Sequence, residues 1–144
     1  MQIIHRTQAG TATYDTRGIT LRPRFGKTEL RIPWSEIDFF SPTPALRHTD
    51  AGWTDFRGRP VDTLDRLLLE PAVRNRQQLQ LQGWYARLWW RRFELHPLLG
   101  ADDEPMPSAG YFRLEVRLST LSVPRAVFFD FLTTHSRFDL IVHL

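Results

Sequence analysis

The sequence predicts an α+β fold in which a bent antiparallel β-sheet, or a partly open barrel, is capped by a C-terminal α-helix. Three observations support this prediction. Apolar and polar residues alternate from Gly18 onward, on both sides of a turn at Gly26-Lys27. The segment YFRLEVRLST alternates in the same way. Finally, Ser122 and Pro124 mark a helix start before PRAVFFDFLTTH, whose apolar residues recur at helical spacing.

The alternating segment from Gly18 is interpreted as a β-hairpin. The residues predicted to face inward are Ile19, Leu21, Phe25, Leu30, Ile32 and Trp34. Thr11 to Asp15 is expected to form a preceding strand. Ile37 to Phe40 is expected to continue the sheet after a bend at Ser35-Glu36.

The middle of the chain, residues 41–100, is predicted to be an irregular, aromatic-rich insert. Ser41 to Pro60 has three prolines and two glycines, which indicates an exposed connection. DTLDRLLLEP predicts a short helix with Asp62 as its N-cap and Pro71 as its stop. Strands are predicted at 78–82 and 92–98. The acidic loop that follows, at 100–110, is interpreted as a solubilising hairpin tip.

Composition limits the class of protein. The 144 residues suit a single domain, 1–144, and ten Phe, five Trp and three Tyr can supply its core. The chain has no cysteine and no apolar run of the ~20 residues that a membrane span requires, and its first ten residues lack the features of a secretory signal. We therefore expect a cytoplasmic protein.

The net charge is only +3, although 18 of the 19 basic residues are arginine. These arginines are spread along the whole chain, whereas nucleic-acid-binding domains cluster their basic residues in a patch. The sequence therefore does not predict a nucleic-acid-binding protein.

The hairpin and the closing helix resemble the bacterial pleckstrin-homology-like (PH-like) domains. The matching residues are Gly18-Ile19-Thr20-Leu21, the turn at Gly26-Lys27 and above all Ile32-Pro33-Trp34-Ser35-Glu36-Ile37, with 122–135 as the capping helix. The resemblance covers less than half of the chain, and the segments 41–60 and 61–100 depart from a minimal member. It implies a binding scaffold rather than a catalyst, and the fold alone does not specify the ligand.

Two sets of residues are candidate binding sites. The outward residues of the hairpin, Arg22, Arg24, Lys27 and Arg31, could bind an anion through charge and bidentate hydrogen bonds. The alternative is an ordinary solvated strand face, and nearby Glu29 would weaken an anion site.

The second set is aromatic and basic, a composition that is enriched at protein interfaces. It consists of Trp53, Phe56, Trp84, Tyr85, Trp89 and Arg91. The alternatives are that Trp53 and Phe56 attach their loop to the core, and that the run from Trp84 is a core element whose arginines reach solvent.

Metal and catalytic sites are not predicted. His135, Asp139 and His143 have helical spacing, but the same segment could be a strand, which would separate them. No phosphate loop, nucleophile elbow or zinc-protease motif is present, and no cofactor is expected. We therefore expect a non-enzymatic interaction module for a protein partner, such as an adaptor, accessory or toxin-neutralising protein.

Two alternatives remain open. One is a small hydrolase whose dispersed His, Asp and Glu residues converge in the fold. It requires a pocket with a carboxylate and at least two of His48, His96, His135 and His143. The other is an anion-binding or phospholipid-binding peripheral membrane domain.

Overall fold

The computed structural model of the chain describes residues 1–7, 10–24, 29–74, 96–99 and 102–138. The strands in these ranges are β1 (Ile3–Arg6), β2 (Gly10–Tyr14), β3 (Gly18–Pro23), β4 (Leu30–Pro33), β5 (Ile37–Thr43), β6 (Leu46–Thr49), β7 (Gly52–Asp55), β8 (Arg66–Val73), β9 (His96–Leu99), β10 (Pro105–Tyr111) and β11 (Leu114–Arg117). An α-helix, α1, spans Arg125–His135. Short 3-10 helices lie at Trp34–Glu36, Val61–Thr63 and Leu118–Thr120.

The first sheet contains β1, β2, β3 and β4 in chain order, with every pair antiparallel. The register places apolar side chains in rows across its inner face. One row runs through Ile3, Tyr14, Ile19 and Ile32, all of them buried. Because successive residues of a strand point to opposite faces, the residues between them face outward. The two strands of the predicted hairpin are confirmed as β3 and β4, and the predicted preceding strand as β2. Phe25 and the predicted turn at Gly26-Lys27 lie outside the described residues.

The second sheet is built around β8, which has a strand on each side. β5 pairs with one edge of β8, while β11 and β10 pair with successive halves of the other edge. β9 pairs in turn with β10. Trp34–Glu36 is the bend that joins the two sheets. The strand predicted after Ser35-Glu36 is confirmed as β5, but β5 pairs with β8 in the second sheet and does not continue the first.

The helix predicted from DTLDRLLLEP is wrong. Asp62 lies in the 3-10 helix Val61–Thr63, and the leucines that follow belong to β8. β8 is paired on both sides and largely covered on both faces, so its sequence contains a continuous apolar run. Such a run does not distinguish a buried strand from a buried helix. Pro71 is tolerated because it falls between the residues of β8 that pair with β11 and those that pair with β10.

Two predicted loops also contain strands. The connection 41–60 includes the end of β5 and the β6–β7 hairpin, in which Leu46 is fully buried. Part of the acidic loop 100–110 is β10, although Asp102–Glu104 is exposed as predicted. In the predicted strand 92–98 the structure describes His96 onward, as β9, and the predicted strand 78–82 lies outside the described residues.

The helix α1 closes the core between the two sheets. It begins at Arg125, directly after Pro124, and its buried residues are Phe128, Phe129 and Leu132. The helical spacing predicts an apolar arc of Val127, Phe128, Phe131 and Leu132; in the structure Phe129 is buried instead of Val127 and Phe131, which are half-buried. Antiparallel sheets followed by a C-terminal helix confirm the α+β class. The ladders of the described residues leave the sheets open.

Candidate functional site

The outward face of the first sheet contains a concave groove, which is the candidate functional site. Its volume is about 450 Å³, within the range of roughly 300–1,000 Å³ that is typical of ligand pockets. All four strands contribute side chains to it. The register of the ladders aligns Ile4, Thr13, Thr20 and Arg31 in one row across the sheet.

This row changes in chemical character from one edge of the sheet to the other. Ile4, on β1, is 40% exposed and offers an apolar contact. Thr13 and Thr20, on the central strands, provide hydroxyl groups that can donate and accept hydrogen bonds. Arg31, on β4, provides a planar cation. A ligand that lies across the strands from β1 to β4 therefore meets first an apolar, then a polar and then a charged group.

A second row contains the charged residues. Arg22 follows Leu21, and Glu29 precedes Leu30, which is opposite Leu21, so Arg22 and Glu29 face each other just beyond the last pair of β3 and β4. Arg22 Nε forms an ion pair with Glu29 Oε1 at 2.7 Å, and Arg31 Nη2 donates a hydrogen bond to Glu29 Oε2 at 3.4 Å. Both arginine side chains are exposed, at 61% and 74%. Two guanidinium groups therefore share one carboxylate at the rim of the groove.

A tight turn forms the end of the groove. Asp15 Oδ1 accepts hydrogen bonds from the backbone N–H groups of Arg17 and Gly18, at 2.8 and 3.2 Å. Gly18 has a φ of 153°, a conformation that is essentially limited to glycine. A Cβ atom there would lie 2.0 Å from the carbonyl oxygen of Ile32. Glycine is thus required for the close approach of β3 and β4.

The position of Ile4 is fixed by the segment that precedes α1. The Ile4 N–H donates to Ser122 Oγ at 3.0 Å, and the Ser122 N–H donates to the Ile4 carbonyl, also at 3.0 Å. One step along β1, the Arg6 N–H donates to Thr120 Oγ1 at 2.9 Å. These bonds pair the backbone N–H and C=O groups on the outer edge of β1, which would otherwise lack partners in the sheet. They also hold the apolar end of the groove in place.

A buried polar pair lies directly beneath the groove. His5 Nε2 and the Tyr14 hydroxyl are 2.8 Å apart, and both residues are fully buried. His5 Nδ1 lies 3.2 Å from the Arg6 carbonyl. Because that carbonyl can only accept, Nδ1 carries the proton, and Nε2 accepts from the Tyr14 O–H. Phe128 of α1 packs edge-on against both rings, with centroids 5.9 and 5.0 Å away.

Burial determines the protonation of this pair. Desolvation lowers the pKa of the His5 imidazole from 6.5 to about 4, although the hydrogen bond to the Arg6 carbonyl opposes the shift. Desolvation also raises the pKa of the Tyr14 hydroxyl. Both side chains are therefore neutral at pH 7, and they anchor the inner face of the sheet to the helix.

The structure places the predicted anion-binding residues in three different situations. Arg22 and Arg31 line the groove together with Glu29, the acidic residue expected to weaken an anion site. Arg24 is exposed and is not part of the groove lining. Lys27 lies outside the described residues.

The predicted aromatic set is only partly described. Trp53 is 7% exposed, its indole N–H donates to Asp130 Oδ1 at 2.8 Å, and its ring packs against Phe129. This burial favours the alternative that Trp53 attaches its segment to the core. Phe56 is half-buried, with the Arg47 guanidinium 4.8 Å above its ring. The remaining members of the set, Trp84, Tyr85, Trp89 and Arg91, lie outside the described residues.

The histidines named for the hydrolase alternative contact different aromatic rings. His48 packs against Trp53, and His135 stacks on Trp34 with a centroid distance of 5.0 Å. His96 stacks on Tyr111. His143 lies outside the described part of the chain, as does Asp139. Within the described ranges, the groove lining contains no histidine, and no cluster of three His, Asp or Glu residues could hold a metal ion.

Three of the four residues in the row across the groove were missed by the sequence reasoning, namely Ile4, Thr13 and Thr20. A signal was present, because IIHR and TATY alternate between buried and accessible positions. Recognising that they form one row requires the register of three ladders, which no single segment specifies.

Comparisons with protein-family models, with curated proteins and with solved structures gave no match. The resemblance to PH-like domains therefore stays a prediction. Among the described residues, no helix is long and apolar enough to cross a membrane.

Proposed function

We propose that this chain is a non-enzymatic interaction module that binds a segment of a protein partner in the groove on the outward face of β1–β4. The observation that carries the proposal is the row of Ile4, Thr13, Thr20 and Arg31 across that groove. Its apolar, hydroxyl and guanidinium groups match the mixed surface of a peptide, which presents side chains and backbone amides together.

The scaffold supports this proposal because the site lies on regular structure. Each strand of the sheet is fixed by antiparallel ladders, and the buried His5, Tyr14 and Phe128 pack beneath it. A groove on strands holds its side chains in defined positions, which lowers the entropic cost of binding.

We further propose that the scaffold is PH-like and that the protein acts in the cytoplasm. The succession of one sheet, a bend at Trp34–Glu36, a second sheet and a closing helix supports the first assignment. The lack of cysteine in the whole chain fits a reducing compartment and supports the second.

The proposal is tested by filling the groove. A random-peptide phage library is panned on the immobilised protein, and the most enriched peptide is synthesised for affinity measurements. Thr20→Phe places a large ring in the middle of the groove on a central strand, where aromatic residues are well tolerated. We expect this variant to bind the peptide at least tenfold more weakly than the original protein.

Thr54→Phe is the matched control. Thr54 is a half-buried, outward-facing threonine in the middle of β7, on a different sheet. We expect this variant to retain the original affinity. A library that yields no enriched peptide, or equal binding by the two variants, would overturn the proposal.

A further inference from the structure

The Arg22–Glu29–Arg31 cluster at the rim of the groove indicates the chemistry of the partner. Its two contacts are unequal. Arg22 approaches Glu29 to 2.7 Å as an ion pair, whereas the hydrogen bond that Arg31 donates to Glu29 is 3.4 Å long, near the limit for any hydrogen bond. Because the attraction between opposite charges falls with distance, Glu29 is held more closely by Arg22, and Arg31 is the more weakly engaged cation.

Arg31 is also the better placed of the two arginines to meet a ligand. It lies opposite Thr20, in the same row as Ile4 and Thr13, and its side chain is 74% exposed. A guanidinium group has five N–H donors in a planar fork that suits a carboxylate. Its contact with Glu29 involves one nitrogen, Nη2, so a second carboxylate can approach from the groove.

The local charge favours an anionic ligand. Three guanidinium groups, of Arg17, Arg22 and Arg31, line the groove with the two carboxylates of Asp15 and Glu29. This small positive excess attracts one carboxylate. The choice of a carboxylate follows from the peptide groove, because an acidic peptide side chain can bind Arg31 while the rest of the peptide meets the threonines and Ile4 of the same row.

We propose that the partner segment carries an aspartate or glutamate side chain that binds Arg31, and that Glu29 limits the affinity by competing for the same guanidinium group. This inference rests on the proposed function, because it concerns the ligand of the same groove. When the acidic ligand binds, Glu29 remains paired with Arg22. Glu29 thus acts as an internal substitute for the ligand carboxylate.

The test uses a small probe, N-acetyl-glutamate amide, which carries one carboxylate. Binding is followed by NMR through the amide resonances of β3 and β4 and the side-chain Nε–H resonance of Arg31. We expect Glu29→Gln to bind the probe about fivefold more tightly than the original protein, the upper end for an exposed ion pair. The Arg31→Gln variant should bind this probe and the neutral N-acetyl-glutamine amide with equal affinity.

Glu115→Gln is the matched control. Glu115 pairs with Arg66 at 3.6 Å on the second sheet, where the side-chain exposures of 22% and 71% are close to those of Glu29 and Arg31. We expect this variant to bind the probe as the original protein does. If Glu115→Gln gained as much affinity for the probe as Glu29→Gln, the gain would come from the change in net charge alone, and the inference would be overturned.

Further outcomes separate this inference from the proposed function. If the enriched peptides bind the groove but the glutamate and glutamine probes bind equally, the acidic ligand is refuted and the interaction module stands. If inorganic phosphate or vesicles containing phosphatidylserine bind more tightly than the glutamate probe, the assignment to an acidic protein side chain is overturned. Equal binding by Thr20→Phe and Thr54→Phe would instead remove the proposed function itself.

Discussion

Lowering the pH from 7.5 to 5 is expected to destabilise the folded protein through the imidazole of His5. The unfolded chain protonates this group near pH 6.5, whereas the folded chain does so only at about 4, because the ring is buried against Tyr14 and Phe128. The unfolded state therefore binds more protons between these two values. The stability that neutral His5 contributes is complete above pH 6.5 and is lost as the pH falls toward 4.

The size of the effect follows from the two pKa values. A difference between 6.5 and about 4 corresponds to a maximum of about 3 kcal/mol in the free energy of unfolding. At pH 5 the unfolded state is almost fully protonated at this site and the folded state is not, so about 2 kcal/mol of that maximum is lost. This is a large share of the roughly 5–15 kcal/mol that stabilises a typical domain.

Urea unfolding followed by tryptophan fluorescence at several pH values measures this loss. His5→Gln removes the titrating group. Between pH 7.5 and 5 this variant should therefore lose about 2 kcal/mol less of its free energy of unfolding than the original protein does. His48→Gln, at an exposed position, controls for the exchange of histidine for glutamine. Parallel pH curves for the original protein and His5→Gln, or a folded-state titration of His5 near pH 6.5, would refute the reasoning.

Two further substitutions test the packing of the fold, one at the end of the groove and one between β7 and α1. Gly18→Ala combines a positive φ with a clash against the facing carbonyl of β4, so we expect a loss of roughly 3 kcal/mol or more in urea unfolding. Gly58→Ala has a positive φ but open space around the new Cβ, and should cost only about 1–2 kcal/mol; equal losses would contradict the clash. Asp130→Ala should cost about 1–2 kcal/mol and shift the indole N–H resonance of Trp53, because it removes the hydrogen-bond acceptor. Asp130→Asn keeps an acceptor oxygen, and a loss as large as that of Asp130→Ala would argue against this bond.

The parts of the fold that could be predicted are those with one buried and one accessible face. In β3 and β4 the alternation of Ile19, Leu21, Leu30 and Ile32 with polar residues reports the pleat of the sheet directly. The closing helix was equally visible, because Pro124 precedes an amphipathic segment. In these elements the local pattern and the tertiary environment agree.

The parts that were misread lack this alternation. β8 is paired on both sides, so Leu67, Leu68 and Leu69 form an apolar run that indicates a helix as readily as a strand. In the β6–β7 hairpin the strands are four residues long, and one of the buried positions of β7 is Asp55. Desolvation opposes its ionisation, but hydrogen bonds from Arg59 and Arg57 lower the pKa of this carboxyl, so a charged residue occupies a buried position of this strand.

The candidate site was predicted in part. Arg22 and Arg31 were named from the outward face of the hairpin, and the structure places both at the groove. Ile4 was not named, because its role depends on β1 lying at the edge of the same sheet and on Ser122 binding its backbone. Such a long-range arrangement comes from tertiary packing, not from a local pattern.

The most direct test of the central claim is an NMR map of where the enriched phage-library peptide binds. The proposed interaction module predicts that the largest shifts fall on the backbone amides of Ile4, Thr13, Thr20 and Arg31, which lie in one row across the groove. It also predicts little change in β6 and β7, on the separate two-stranded sheet. Shifts that are confined to β6 and β7 or to α1, with the groove resonances unchanged, would contradict the claim.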